Sequence, residues 1–238
     1  GILPASLLLN FPIPPPIAST EVSTFDPLGL TSASWPSGTY GTDESGGAFS
    51  SIPEIRRCGC GIVTMVPGTD DSDSFDLEWA ASFPLEGEIQ TVPRAELFTI
   101  LILLKNLQHQ ASVIIVSDSL VNIQLYYKGK AHALASTNGD LWVEVFQEIS
   151  NKDLTVSIHW VQGHLDTKDA KQWFPPLWRA LNIGADHFAN LAAKKFELPT
   201  DITIPVQTNC ELAVRIQKRL VHILCTFPKS PRKTIDPK

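Results

Sequence analysis

The sequence predicts an α/β fold: a mixed sheet of five strands, three of them antiparallel, flanked by helices. Three observations predict it. Segments rich in β-formers follow one another across short turns between Tyr40 and Pro84, as in an antiparallel meander. From Thr91 onward, helical periodicities alternate with short apolar runs, the pattern of strands covered on both faces. The chain has 238 residues, 43% of them hydrophobic, which suits one ordinary domain with extensions.

Residues 1–37 are rich in Pro, Ser and Thr without a sustained period, and read as a linker or loosely packed arm. Strand one is Tyr40–Ser45, followed by a turn over Gly46–Arg57. Strand two is Cys58–Val66 and strand three Asp76–Pro84, with an acidic turn over Pro67–Ser74 between them. Asp70, Asp71, Asp73 and Asp76 lack the glycine and distal glutamate of an EF-hand loop, so they read as a solvated hairpin tip. A helix starts after Thr91, a capping residue, with Pro93 in its first turn and Leu97, Ile100, Leu101 and Leu104 at helical spacing. Val113–Val116 is a strand buried on both faces, and Leu120–Tyr127 a helix. Asn138–Ser150 opens on a capping signal and carries Leu141, Trp142, Val145, Phe146 and Ile149 on one face. Val156–Val161 is the fifth strand. A loop over 165–181, holding Trp173, Pro175, Pro176 and Trp178, leads to a helix over Ile183–Phe196 with a small-residue face. The organised domain spans 38–198. Residues 199–238 hold an amphipathic segment, Cys210–Leu224, and a basic tail, Lys229–Lys238.

The net charge of -6 and pI of about 5.5 oppose general electrostatic binding of a polyanion, so nucleic-acid affinity requires bound cations or a local basic patch. Four cysteines (Cys58, Cys60, Cys210, Cys225) are too few and scattered for a disulfide framework. Cys58-Gly59-Cys60 has the wrong spacing for a zinc knuckle and sits in an apolar run, which points to burial. No stretch reaches the roughly 18 to 20 apolar residues that cross a bilayer, so no membrane partner is expected. Gly1–Ile17 is apolar but broken by Pro12, Pro14, Pro15 and Pro16, and it lacks a basic n-region. The chain opens on Gly1 rather than Met, which reads as a piece of something longer. The expected compartment is reducing and intracellular, cytoplasmic or nuclear.

Chemistry concentrates in carboxylates. Tyr40-Gly41-Thr42-Asp43-Glu44-Ser45-Gly46-Gly47 places an acid where a strand runs, and a carboxylate there is costly unless a cation neutralises it. Glu96 lies one turn inside the first helix, Asp118 ends strand four, and Asp186 opens the late helix. Each has a bland reading. Asp43 could be a turn residue, Glu96 an exposed helix charge, Asp118 a cap, and Asp186 a first-turn acid favoured by the helix dipole. His164, in Gln162-Gly163-His164, could be merely solvated.

In order, Thr-Asp-Glu-Ser-Gly-Gly, Arg-Ala-Glu-Leu, Val-Ser-Asp-Ser, Trp-Val-Gln-Gly-His and Gly-Ala-Asp-His-Phe-Ala-Asn-Leu-Ala resemble the successive motifs of the ribonuclease H family. Asn138-Gly139-Asp140-Leu141-Trp142 is similar to the family's segment before its fifth strand. The similarity spans about Gly38 to Leu198. It implies the ribonuclease H-like fold, with strands four and five parallel, and hydrolysis of the RNA strand of an RNA–DNA hybrid to 5′-phosphate and 3′-hydroxyl ends. Clustered carboxylates require divalent cations, since two like charges about 4 Å apart repel by roughly 4 kcal/mol at an effective dielectric of 20. All-oxygen ligands favour Mg²⁺, with Mn²⁺ able to substitute. The resemblance implies two such ions, with Asp43 bridging both, Glu96 and Asp118 on one and Asp186 on the other. It makes His164 the residue that assists the attacking water or product release. Ser45, Arg94 and Ser119 are candidates for substrate contact, Arg94 having carboxylate pairing as an equal alternative. Trp173 and Trp178 could stack on nucleotides, but read better as packing.

The chain departs from the family in four places. Glu44 stands where Gly usually follows the first Asp. Val92 and Pro93 replace asparagines that cellular members often carry. The basic protrusion is reduced to Lys128, Lys130 and His132, and the span from His164 to Asp186 is longer than usual. These features imply weak autonomous binding and fit a module tethered to a reverse transcriptase in a retroelement polyprotein. The competing readings are a catalytically silent domain for nucleic-acid or protein contact, and another nuclease of the same superfamily.

Overall fold

The computed structural model describes residues 14–16, 22–26, 34–69, 74–163 and 174–227. Pro14–Glu197 form one compact unit, and Leu198 onward falls in a second. In the first unit the strands are β1 (Ser23–Phe25), β2 (Gly38–Ser45), β3 (Gly59–Pro67), β4 (Phe75–Pro84), β5 (Ser112–Ser117) and β6 (Thr155–Trp160). The helices are α1 (Val92–Asn106), α2 (Leu120–Lys128), α3 (Lys130–Leu134), α4 (Gly139–Asn151) and α5 (Pro176–Lys195).

One sheet runs in the order β1-β4-β3-β2-β5-β6. β4, β3 and β2 form the expected antiparallel meander, and the β2–β5 and β5–β6 pairs are parallel. The parallel pairs put the carboxyl ends of β2 and β5 side by side, because a helical crossover must return the chain before each new strand. The strand count is six rather than five. Ser23–Phe25, expected in a loose arm, pairs antiparallel with the edge of β4. Its three residues are half-buried to exposed, so no hydrophobic alternation marks it.

Two apolar layers sandwich the sheet. On one face Tyr40, Ile62, Phe83, Leu97, Leu101 and Ile115 pack with Trp142 of α4. On the other, Val63, Ala80, Val116, Leu181 and Ala185 form the layer beneath α5. Cys58 and Cys60 are buried free thiols. α5 begins earlier than expected, at Pro176 rather than Ile183, because a proline needs no backbone donor in a first turn. Asp186 therefore lies in its third turn, and the first-turn reading fails. α3 was not expected; five residues are too few to show a period. The β3–β4 hairpin closes through the Gly68 N–H donating to Ser74 O at 2.9 Å; Asp70, Asp71 and Asp73 lie outside the described residues.

In the second unit α6 (Thr200–Thr226) is longer than the expected Cys210–Leu224 and contains Pro205. Among the described residues, no helix is long and apolar enough to cross a membrane. The tail Lys229–Lys238 lies outside the described residues.

The contact of α5 with β2 and β3 is unusually close. A Cβ on Gly59 would fall 2.2 Å from Ala193 N, one on Gly61 2.2 Å from Ala185 O, and one on Gly41 2.5 Å from Leu181 O. All three meet helix backbone, which cannot rotate away as a side chain could. Gly61→Ala is therefore expected to lower unfolding free energy by roughly 1–3 kcal/mol. Gly38→Ala, whose Cβ would meet only the Tyr40 ring at 3.7 Å, should change it little. Urea denaturation of both variants checks this.

Candidate active site

Side-chain alternation along β2 places Asp43 and Glu44 on opposite faces. Asp43 is opposite Gly61, whose missing side chain would point into α5, so Asp43 faces α5 and is 7% exposed. Glu44 is opposite Cys60 and faces α1. Asp118 follows the last residue of β5, the parallel neighbour of β2. Two neighbours shape its corner. The Trp160 indole N–H donates to Asp118 O at 3.1 Å, and a Cβ on Gly163 would fall 2.5 Å from Asp118 Oδ2.

Asp186 reaches the same region from α5. Asn190, one turn on, donates to Asp186 Oδ1 at 3.0 Å and accepts from Ser45 Oγ at 2.7 Å, so a polar strap joins α5 to the end of β2. The Gly47 N–H donates to Ser45 Oγ at 3.2 Å. Asp43, Glu44, Ser45, Asp118, Asn182 and Asp186 thus line one cleft of about 480 Å³. Glu96 is not among its lining residues. Ser119 Oγ donates a short hydrogen bond to Glu96 Oε2, which Asn122 Nδ2 also reaches at 3.3 Å.

Among the described residues, two oxygens around the cleft are orphans. Asn182 Oδ1, on a residue 3% exposed, and Glu44 Oε2 are buried without a hydrogen-bond partner. Among the described residues, no three His, Cys, Asp or Glu side chains already close on a single point. The carboxylates line the cleft and feel one another across it instead. Burial, then the Asp118 charge, pushes the Asp43 carboxyl well above the usual range. Burial, then Glu96, Asp118 and Asp186, pushes Glu44 up to about 8, against a small opposing effect of Arg56. Burial lifts Glu96 to about 7 although the Ser119 hydrogen bond works the other way.

Several expectations change here. Ser119 is 3% exposed and orients Glu96, so it is not placed at a substrate surface. Arg94 pairs with Asp140 through two nitrogens, at 2.9 and 2.5 Å, which is the carboxylate-pairing alternative. Trp178 packs against the His159 ring, centroids 4.7 Å apart. His164 and Trp173 lie outside the described residues. Asn182 and Asn190 were missed; their spacing of four residues on either side of Asp186, one helical face, was the available signal.

The RNase H family pattern matches residues 48–194. This chain belongs to the RNase H family. The match takes in Glu96, Asp118, His164 and Asp186 and begins five residues after Asp43. Among solved structures, the chain is similar to LC9-RNase H1, described as a type 1 RNase H with the type 2 active-site motif: 17% identity, TM-score 0.45, covering 68% of this chain and 75% of that one. It is also similar to the PFV RNase H domain, with 19% identity and TM-score 0.44, covering 66% of this chain and 94% of that one. No protein of curated function matches it. Family membership implies RNA–DNA hybrid cleavage in general.

The raised carboxyls of this RNase H domain make its stability depend on pH. A folded chain whose Glu44 and Glu96 titrate near 8 and 7 holds protons that the unfolded chain releases near 4.5. The penalty is absent below that point and complete above the folded values. The metal-free chain should therefore lose stability as pH rises from 5 to 8.5. Glu44→Gln should be more stable than wild type at pH 8.5 and nearly equal at pH 5, as read by urea melts.

Proposed function

We propose that this domain is a divalent-metal-dependent endonuclease hydrolysing the RNA strand of RNA–DNA hybrids, with two Mg²⁺ ions, or Mn²⁺ in their place. The observation that carries the reading is the convergence of Asp43, Asp118 and Asp186 on one cleft from three elements. The donors suit such ions: every one is an oxygen, and Glu44 Oε2 and Asn182 Oδ1 are buried with no other partner. When bound, paired ions activate a water and neutralise the leaving oxygen of an in-line displacement at phosphorus.

Asp43, Asp118, Asp186 and Glu44 would hold the ions. Glu96 would add its Oε1, because Ser119 and Asn122 already occupy Oε2. Asn190 fixes the Asp186 carboxylate, and Ser45 in turn fixes Asn190, so the cleft presents Asp186 in one orientation. Ser45 also lies at the cleft rim, where a backbone phosphate or sugar of the hybrid would pass. His164 follows Gly163, which lies beside Asp118, and would assist the attacking water or product release. The acidic net charge and the proline-rich lead support a module linked to or associated with a reverse transcriptase in a retroelement polyprotein, acting inside the cell.

A catalytically silent domain is the second reading. Glu44 favours it, since an extra carboxylate in the cleft would repel an incoming phosphate.

Cleavage of a labelled RNA–DNA hybrid in Mg²⁺ or Mn²⁺ separates the two. The RNA strand should be cut, Asp118→Asn should abolish cutting, and Asn190→Ala should slow it roughly tenfold to a hundredfold. No cutting by the folded wild-type chain, alone or with a polymerase partner, supports the silent domain.

A further inference from the structure

At the opposite end of β2 from Asp43, the Pro14–Glu197 unit holds a second cavity of about 460 Å³. Its walls are aromatic and apolar, with Trp35, Tyr40, Trp79, Met65 and Leu177 among them. The Trp35 and Trp79 rings meet edge to face with centroids 4.4 Å apart. Tyr40 Oη donates to Pro36 O at 2.7 Å and pins the chain entering β2.

Into this wall the fold sets a carboxylate. The β3–β4 register passes from Thr64↔Trp79 directly to Met65↔Leu77, so Glu78 is the extra residue of a bulge. A bulge re-aims the side chain it carries, and Glu78 lines the cavity beside Trp79. No hydrogen bond or ion pair engages Glu78 among the described residues. Its charge is felt at the Tyr40 hydroxyl, which burial first and Glu78 second keep protonated.

Glu78 is only partly exposed, and a carboxylate half removed from water against apolar rings calls for a cation. The arm that carries Trp35 brings none, since no Lys, Arg or His precedes Arg56.

We propose that this cavity binds a guanidinium, the head of an arginine, against the Trp35–Trp79 wall with its N–H fork toward Glu78. The chemistry selects guanidinium over ammonium. A guanidinium is weakly hydrated, lies flat on aromatic rings and forks onto carboxylates, whereas an ammonium holds its water. The arginine could be free or displayed by a partner polypeptide.

The test titrates the full chain with N-acetyl-arginine amide, its neutral isostere N-acetyl-citrulline amide and N-acetyl-lysine amide. It follows the indole N–H signals by NMR, with those of Trp35 and Trp79 assigned through Phe substitutions. Saturable shifts are expected with the arginine compound, and binding about tenfold or more weaker with the other two. Glu78→Gln should weaken binding by a similar factor, and Trp35→Leu, read on the Trp79 signal, provides an independent variant should that chain fail to fold. Tighter binding of an arginine-containing peptide than of free arginine supports the proposal with a partner chain as source. Equal binding supports it with the free molecule as source. Absence of saturable shifts on the wild-type chain, equal binding of citrulline, or wild-type binding by both folded variants overturns it.

Discussion

The architecture depends on how near α5 lies to β2 and β3. Gly41, Gly59 and Gly61 remove the side chains that would otherwise stand between helix and sheet, and Ala185, Ala189, Ala192 and Ala193 do the same from the helix. With backbone against strand, Asp186 comes within electrostatic reach of Asp43, and Asn190 can bond Ser45 at 2.7 Å. A helix held farther off by larger residues would leave Asp186 in solvent. The acidic cleft is a consequence of that contact.

The second constraint is charge. A strand-borne carboxylate that is 7% exposed, beside others on separate elements, is not something folding selects for its own stability. Hydrogen bonds compensate only in part. Ser119 and Asn122 serve Glu96, and Asn190 serves Asp186, while Glu44 Oε2 and Asn182 Oδ1 receive nothing. The alternation of β2 puts Asp43 toward α5 and Glu44 toward α1, so Glu44 lies on the Glu96 side of the strand. Where a glycine would leave open space, this chain interposes a fifth carboxylate. On the proposed function, that residue would add to the hold on cations and oppose an incoming phosphate.

Much of this was legible in the sequence because strong local signals agreed. Val113–Val116 and the Leu97-to-Leu104 period each pointed to one arrangement, and the five expected strands came within one or two residues. Weak or long-range signals were not legible. Ser23–Phe25 shows no alternation because its three residues, half-buried to exposed, are too few to carry a period. Pro175-Pro176 resembles a loop, yet the second proline is where α5 begins. Asn182 looks like any helix polar residue until burial removes its partners. The Arg94–Asp140 pair joins residues 46 positions apart, which no local pattern reveals.

The central claim is that the cleft of Asp43, Asp118 and Asp186 is a divalent-cation centre. Diffraction from crystals grown with Mn²⁺, using the metal's anomalous scattering, tests it most directly. The account predicts Mn²⁺ peaks bounded by these three carboxylates, with Glu44 turned toward them, and their loss in Asp43→Asn. A well-ordered cleft with no anomalous peak at millimolar Mn²⁺ would contradict it.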